Sequence, residues 1–342
     1  MSGSRPTHSR LSDCFQACSS LSLKFNRPSP VTICGSFLLS PLPAVNRSFR
    51  LSGTELFMLA VVTVLWGLNW PVMKIGVTYV GPMTFRSASM IGGIFVLLAL
   101  IWQQGQSLRV PREYWGELFA IAAANMAVWY VFAMYGVAQL ASGRAAILGY
   151  TLPIWSALWG ILIFGDKANS RLWFGVITAL AGVILLMFNE FGTLTGRPLG
   201  TLSMLLAAAC WGYGSHLMRR RKQSTPVLVI TFWSLILSLL TCGSLAFLFE
   251  RPGWTRPPSG PEWGAILYNA ILVFGLVQVW WFRLATILPP VASGLSVMLI
   301  PVVGVFSAMI LLGEQPGWPD YVALGCILLA ISSVLLPSRS RA

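Results

Sequence analysis

The segment from Ala141 to Lys167, ASGRAAILGYTLPIWSALWGILIFGDK, decides how the rest of the chain is interpreted. From Ala145 to Phe164 it contains no charged residue. A helix of that length is about 30 Å long, which matches the hydrocarbon core of a bilayer. A proline lies within the run, and a Gly-Asp pair ends it. The segment therefore predicts a membrane-spanning helix with an interior proline.

The same pattern returns at 292–315 as ASGLSVMLIPVVGVFSAMILLGEQ. The matching positions, at an offset of 148 residues, are Pro153 and Pro301, Gly165 and Gly313, and Asp166 and Glu314. The pair Trp66-Gly67 also recurs, as Trp211-Gly212, at an offset of 145. Two offsets this close indicate a duplicated unit of about 145 residues.

The composition is that of a membrane protein. Of the residues, 56% are hydrophobic and 10% are charged, whereas about a quarter of the residues of a soluble domain are charged. The predicted partner is therefore the lipid bilayer. The net charge of +13 comes from basic residues in tails and short loops, which indicates membrane orientation and no nucleic-acid partner. The six cysteines form no CxxC pair or Cys/His cluster, so we expect no metal site and no cofactor.

The charge-free runs predict an all-α polytopic membrane protein with ten transmembrane helices arranged as two five-helix repeats, 54–190 and 199–337. The predicted spans are 55–78, 82–102, 115–137, 142–164, 171–189, 199–218, 226–249, 262–283, 289–312 and 318–336. Residues 1–53 are rich in Ser, Arg and Pro. They are either a targeting segment or a disordered extension, and we favour the disordered extension.

The distribution of Lys and Arg predicts the orientation. With the N-terminus in the cytoplasm, 17 of these residues fall on the cytoplasmic side and three on the other side. This asymmetry predicts a multi-pass protein of the cell (inner) membrane with both termini on the cytoplasmic side. Because five is an odd number, the second repeat crosses the membrane in the opposite direction. Inverted repeats of this kind are common in secondary transporters.

Several motifs resemble the EamA-type transporters of the drug/metabolite transporter superfamily. They are LWGLNWPVMKIG at 65–76, ASGRAAILGYTLPIW at 141–155 and the LGE sequence that ends the ninth span. The resemblance covers about 54–337 and is specific for the superfamily, not for a substrate. It implies a carrier with a central cavity lined mainly by helices 1, 3, 4, 6, 8 and 9, which exports or exchanges small metabolites such as amino acids.

Aromatic and amide side chains deep in the spans are candidates for this cavity. A buried amide that faces lipid is costly, so each should face protein or water. The alternative is that these residues mediate helix–helix contacts or lie in interfacial tryptophan belts. The predicted cavity residues are Trp66, Asn69, Asn125, Trp129, Tyr150, Trp211, Tyr213 and Trp281.

Three interior prolines, Pro71, Pro153 and Pro301, each remove a backbone donor from a helix. We interpret them as hinges, with a tolerated kink as the alternative.

Three cations, Lys74, Arg86 and Arg144, lie near span ends that face outwards in the predicted topology. One interpretation is snorkelling to the headgroups. The other is a site for a substrate anion, or an outer gate. Arg144 is preferred over Lys74 for the anion site because its segment also carries Tyr150 and Pro153. Its planar fork, at the start of a helix, can hold a carboxylate or phosphate.

The leading functional prediction is a secondary transporter that moves a small-molecule substrate by alternating access. The alternative is a flippase for lipids or lipid-linked sugars. An enzyme is not predicted, since the Ser residues of the ASG triplets have no base nearby: His8 lies in the tail and His216 near the cytoplasmic face. No nucleotide-binding loop is present. The sequence is compatible with a homodimer but does not decide the oligomeric state.

Overall fold

The computed structural model describes residues 52–167, 169–192, 197–250, 257–287 and 290–335, and within these ranges it contains helices and no strand. Most of the predicted N-terminal extension and the C-terminal end lie outside the described residues. The helices are α1 (Gly53–Tyr79), α2 (Pro82–Gln103), α3 (Arg112–Gln139), α4 (Ser142–Leu162), α5 (Ser170–Gly192), α6 (Pro198–Arg219), α7 (Val227–Glu250), α8 (260–287), α9 (Pro290–Leu312) and α10 (Trp318–Leu335).

Among the described residues, seven helices are long and apolar enough to cross a membrane: α1, α2, α3, α4, α5, α7 and α8. α9 and α10 contribute the shorter apolar segments Ser296–Leu312 and Trp318–Val334, and α6 is less apolar than these seven. Large apolar side chains such as Phe95 and Ile310 lie on the outside, with 66% and 82% of their surface exposed. The chain is therefore a multi-pass membrane protein, because lipid is the medium that suits such a surface.

The helices pack in matching pairs across the two halves of the chain. α1 lies along α9, and α6 lies along α4. α2 packs against α7, and α5 packs against α10. Each half thus completes its packing with helices of the other half.

The two Trp-Gly pairs have a packing role that the sequence alone did not reveal. A Cβ atom on Gly67 would lie 2.4 Å from a side-chain carbon of Val303 in α9, and one on Gly212 would lie 2.6 Å from the backbone nitrogen of Ser156 in α4. Both contacts are shorter than van der Waals separation. Glycine therefore lets α1 and α6 approach the proline-containing helix of the other repeat.

Carboxylates of the second half cap helices of the first half. Glu314, just after α9, accepts hydrogen bonds from the backbone nitrogens of Ser142 (2.7 Å) and Gly143 (3.1 Å) at the start of α4. Glu250, at the end of α7, accepts bonds from the backbone nitrogens of Met83 (2.9 Å) and Thr84 (2.7 Å) at the start of α2. Both acids satisfy helix N-termini that would otherwise lack acceptors.

Four helices depart from regular α-geometry. α7 ends in a π-helical segment, Ala246–Glu250. α3 contains a π-helical segment, Ala123–Ala127, and α8 contains another, Tyr268–Val277. α4 is interrupted between Gly149 and Leu152, immediately before Pro153. Pro71 and Pro301, in contrast, lie inside continuous helices. Of the three prolines assigned as hinges, only Pro153 accompanies a break, and motion at any of them stays a prediction.

Substitution of Gly212 by Ala should destabilise the fold, because the new methyl group meets backbone atoms of α4 that cannot rotate away. We expect Gly212→Ala to lower the free energy of unfolding by about 1–3 kcal/mol, measured as thermal unfolding of the purified protein in detergent. Gly325→Ala in α10 is the matched control, since a Cβ there has nothing within 4 Å. Equal melting temperatures for both variants would contradict the close-packing role.

Candidate functional site

A cavity of about 230 Å³ lies at the centre of the bundle. Its walls come from α1, α2, α3, α4, α6, α8 and α9. Six of these are the helices that the family resemblance implies, and α2 is the additional one. The lining residues are Trp66, Asn69, Trp70, Met73, Arg86, Trp129, Tyr130, Ala133, Met134, Tyr150, Leu152, Trp211, Val273, Phe274, Gln278, Trp281, Val297 and Ile300.

Two tryptophan pairs form part of the wall. Trp66 of α1 meets Trp281 of α8 with ring centroids 5.2 Å apart and planes at 60°. Trp211 of α6 meets Trp129 of α3 at 5.2 Å and 65°. These edge-to-face arrangements are favoured by the charge distribution of the rings. Because α1 and α6 occupy equivalent positions in the two repeats, the duplicated Trp-Gly motif supplies one tryptophan to each pair.

Trp70 and Tyr150 complete the aromatic surface, with centroids 6.2 Å apart. Trp70 fits because its neighbours are glycines: a Cβ on Gly149 would lie 2.6 Å from the Trp70 ring, and one on Gly304 would lie 3.2 Å from it. The cavity therefore depends on small residues of α4 and α9 as well as on large residues of α1.

The polar groups of the lining are few. Asn69 is buried, and its Oδ1 has no hydrogen-bond partner among the described residues. Gln278 contributes a second amide. A mostly aromatic surface with isolated polar groups suits a small solute that is partly apolar.

Arg86 is the charged member of the described lining. Only 2% of its surface is exposed. Its guanidinium carbon lies 4.7 Å from the centroid of the Tyr130 ring and 5.5 Å from that of Phe274. Such contacts stabilise a buried cation through the negative faces of the rings. Arg86 thus lies inside the bundle and does not extend to the headgroups, so snorkelling is the wrong description of this side chain.

Six of the eight predicted cavity residues line the cavity: Trp66, Asn69, Trp129, Tyr150, Trp211 and Trp281. The other two lie elsewhere. Asn125 contacts α6, where its Nδ2 is 3.4 Å from the carbonyl oxygen of Trp211. Tyr213 stacks on Phe164 at 5.9 Å, near the end of α4.

Asn125 and Trp129 both face α6. They are four residues apart on α3, the spacing at which two residues share a face of a helix. The Trp129 ring packs on the Trp211 ring and lines the cavity, whereas Asn125, within the π-helical segment Ala123–Ala127, meets the Trp211 carbonyl and lies outside the lining. The sequence pattern placed both residues on one side of α3 but did not show how far along that side the cavity extends.

The other two candidate cations have partners outside the cavity. The Lys74 amine donates to the carbonyl oxygens of Val137 (2.9 Å), Ala138 (2.9 Å) and Leu140 (2.7 Å), so it caps the C-terminal end of α3. The Arg144 guanidinium donates two hydrogen bonds to the Asp320 carboxylate of α10, with an Nε–Oδ1 distance of 2.7 Å and an Nη2–Oδ2 distance of 3.1 Å. Neither residue belongs to the cavity lining.

Sequence reasoning did not assign Tyr130, Met134 or Phe274 to the site, although all three line it. They are apolar or aromatic residues in apolar helices, and only the helix rotation distinguishes their face from the lipid face. A larger groove of about 560 Å³ lies between α5 and α10. It is open to the surface and involves only two helices, so it is a weaker candidate site than the central cavity.

Comparison with known proteins identifies the family. The model of the EamA-like transporter family matches residues 53–188 and again residues 198–336. The uncharacterized transporter YoaV of Bacillus subtilis (strain 168) is 24% identical over 256 residues, which cover 74% of this chain and 87% of YoaV. The uncharacterized inner membrane transporter YedA of Escherichia coli (strain K12) is 26% identical over 286 residues, which cover 80% of this chain and 88% of YedA.

A solved structure shares the fold. A crystal structure with 18% sequence identity superimposes on this chain with a TM-score of 0.58, and the match covers 83% of this chain and 97% of the other. The family and the named relatives are transporters, which confirms the prediction of a transporter and not an enzyme. The two family matches together cover most of the sequence, and the chain therefore belongs to the EamA-like transporter family.

Proposed function

We propose that the protein is a secondary transporter that moves a small, partly apolar metabolite through the central cavity by alternating access. The observation that carries this proposal is the aromatic cavity at the junction of the two halves, with one tryptophan pair from α1 and α8 and the other from α6 and α3. Secondary transporters built from repeats bind their substrates at this junction.

The proposed topology has ten spans in two inverted repeats, with both termini on the cytoplasmic side of the inner membrane. Its first support is the packing of equivalent helices: α1 of the first repeat packs on α9 of the second, and α6 of the second repeat packs on α4 of the first. Its second support is length: α6 and α9 have 22 and 23 residues, which corresponds to about 33 Å of helix each. The charge asymmetry of the loops supports the orientation.

Alternating access requires one half to move against the other around the site. The interruption of α4 at Tyr150 and Thr151 lies at the cavity wall, since Tyr150 and Leu152 both line it. A helix with a break at this point can change direction without disturbing its regular parts. This geometry favours Pro153 as the hinge of α4.

The size of the cavity favours a small metabolite over a lipid. At about 230 Å³, it lies below the range of about 300–1,000 Å³ that is common for drug-sized ligands. Seven helices contribute to its wall. A lipid flippase instead needs a lateral opening through which acyl chains pass, so the flippase stays the second candidate.

Loss of one tryptophan from each pair should impair transport. We expect the double variant Trp66→Ala, Trp211→Ala to lower the initial rate of uptake about tenfold or more. Each substitution removes aromatic contacts with the solute and with the partner ring of its pair. Uptake is measured in proteoliposomes with a panel of labelled amino acids, sugars and amphiphilic drugs. Trp102→Ala is the control, since Trp102 is 82% exposed at the end of α2. Wild-type rates in the double variant would exclude the cavity as the pathway.

The orientation can be tested with single cysteines in a cysteine-free background. We expect a membrane-impermeant maleimide, added to intact cells, to label Gln315→Cys between α9 and α10 and not Lys222→Cys between α6 and α7. Both positions are exposed, so access depends on the side of the membrane alone. Permeabilised cells provide the control, in which both cysteines should react. Labelling of Lys222→Cys in intact cells would refute the topology.

A further inference from the structure

The positive charge of Arg86 is a feature of the cavity that a merely amphiphilic solute does not explain. The Arg86 Nη2 contacts two thioether sulfurs, Met73 Sδ at 2.9 Å and Met134 Sδ at 3.3 Å. Its Nη1 lies 3.4 Å from Asn269 Oδ1. A thioether is a weak acceptor, and 3.4 Å is long for a hydrogen bond. The guanidinium is therefore held in place by weak partners.

A buried guanidinium ordinarily needs a strong acceptor, because removal of a charge from water is costly. None of the described carboxylates forms an ion pair with Arg86, and its buried Nε has no hydrogen-bond partner among the described residues. The rings of Tyr130 and Phe274 offset part of the cost. Arg144, in contrast, has its fork occupied by Asp320.

We infer that Arg86 binds the carboxylate of a singly charged organic anion in the central cavity, and that the apolar body of this solute lies against the tryptophan pairs. The inference rests on the proposed function, because it takes the cavity to be the substrate site. A carboxylate matches the planar fork of arginine with two parallel hydrogen bonds. It would also neutralise the buried charge.

The surroundings of Arg86 favour a monoanion over a dianion. Arg86 is the only charged residue in the described lining of the cavity. One positive charge neutralises one carboxylate, whereas a phosphate monoester at neutral pH carries up to two negative charges. The excess charge would lie in an apolar, poorly hydrated site, where it is costly. The other polar groups of the described lining bear no charge: they are the amides of Asn69 and Gln278, the hydroxyls of Tyr130 and Tyr150, and the indole nitrogens of the tryptophans.

A purely structural role is the competing explanation. Arg86 of α2 contacts Met73 of α1, Met134 of α3 and Phe274 of α8. It could therefore join four helices without touching a solute. The two explanations differ in one respect: a structural arginine affects the binding of all solutes alike, whereas an anion-binding arginine discriminates between head groups.

Three probes with the same apolar body separate these explanations: 3-phenylpropanoate, 3-phenylpropanamide and 3-phenylpropylamine, which carry an anionic, a neutral and a cationic head group at pH 7.5. Binding of each to the full chain in lipid nanodiscs is measured by calorimetry. We expect the wild type to bind the carboxylate about 10- to 100-fold more tightly than the amide, and to bind the amine most weakly because of repulsion by Arg86.

In Arg86→Gln, the affinity for the carboxylate should fall by about 10- to 100-fold, while the affinity for the amide stays near its wild-type value. Arg86→Lys keeps the charge and loses the fork, so it should retain part of the preference. Arg220→Gln is the matched control. Arg220 also stacks on an aromatic ring, with its guanidinium carbon 4.8 Å from the Phe164 centroid, but it lies outside the cavity lining. Its removal should leave the preference intact.

Two results would overturn the inference. One is equal binding of the carboxylate and the amide by the wild type, or no binding of the carboxylate, and this result needs no variant. The other is a folded Arg86→Gln or Arg86→Lys that loses carboxylate and amide affinity in equal proportion, which is the structural role. Failure of the proposed function is distinct: proteoliposomes would then transport no solute of the panel, whatever the binding preference.

Discussion

The constraint on which the structure depends is that backbone polar groups in a bilayer must find partners within the protein. Most are satisfied inside the helices, but the helix ends are not. Glu250 and Glu314 supply acceptors to the starts of α2 and α4, and Lys74 supplies donors to the end of α3. Because both acids come from the second half and cap helices of the first, the groups that complete the helices also hold the two halves together around the cavity.

Close packing between the halves gives this cavity its shape. Gly67 and Gly212 bring α1 and α6 against α9 and α4, and the preceding residue in each pair, Trp66 or Trp211, then projects into the space between the halves. Duplication of one Trp-Gly motif thus produces two equivalent contacts and two equivalent tryptophan pairs. The space that remains between the halves is small, about 230 Å³.

Two of the buried amides lie in irregular helix segments. The π-helical segments of α3 and α8 each contain a buried asparagine, Asn125 and Asn269. Asn125 contacts α6, and Asn269 lies beside Arg86. These two amides therefore contact other helices or Arg86, whereas the buried amide of Asn69 lines the cavity. The charged head of Arg86 is left as the strongest polar feature of an otherwise aromatic site.

The sequence by itself determined the membrane class, the helical character, the duplication and the family, because apolar length and repeated motifs are local properties of the chain. It also identified Trp66, Trp129, Tyr150 and Trp211, which belong to the motifs or lie deep in their spans. The tertiary structure decided the positions that depend on helix rotation and on distant partners. Asn125 contacts α6 outside the cavity, Arg144 pairs with Asp320, and Arg86 lies inside the bundle, because the surroundings of a side chain follow from the packing of helices far apart in the sequence.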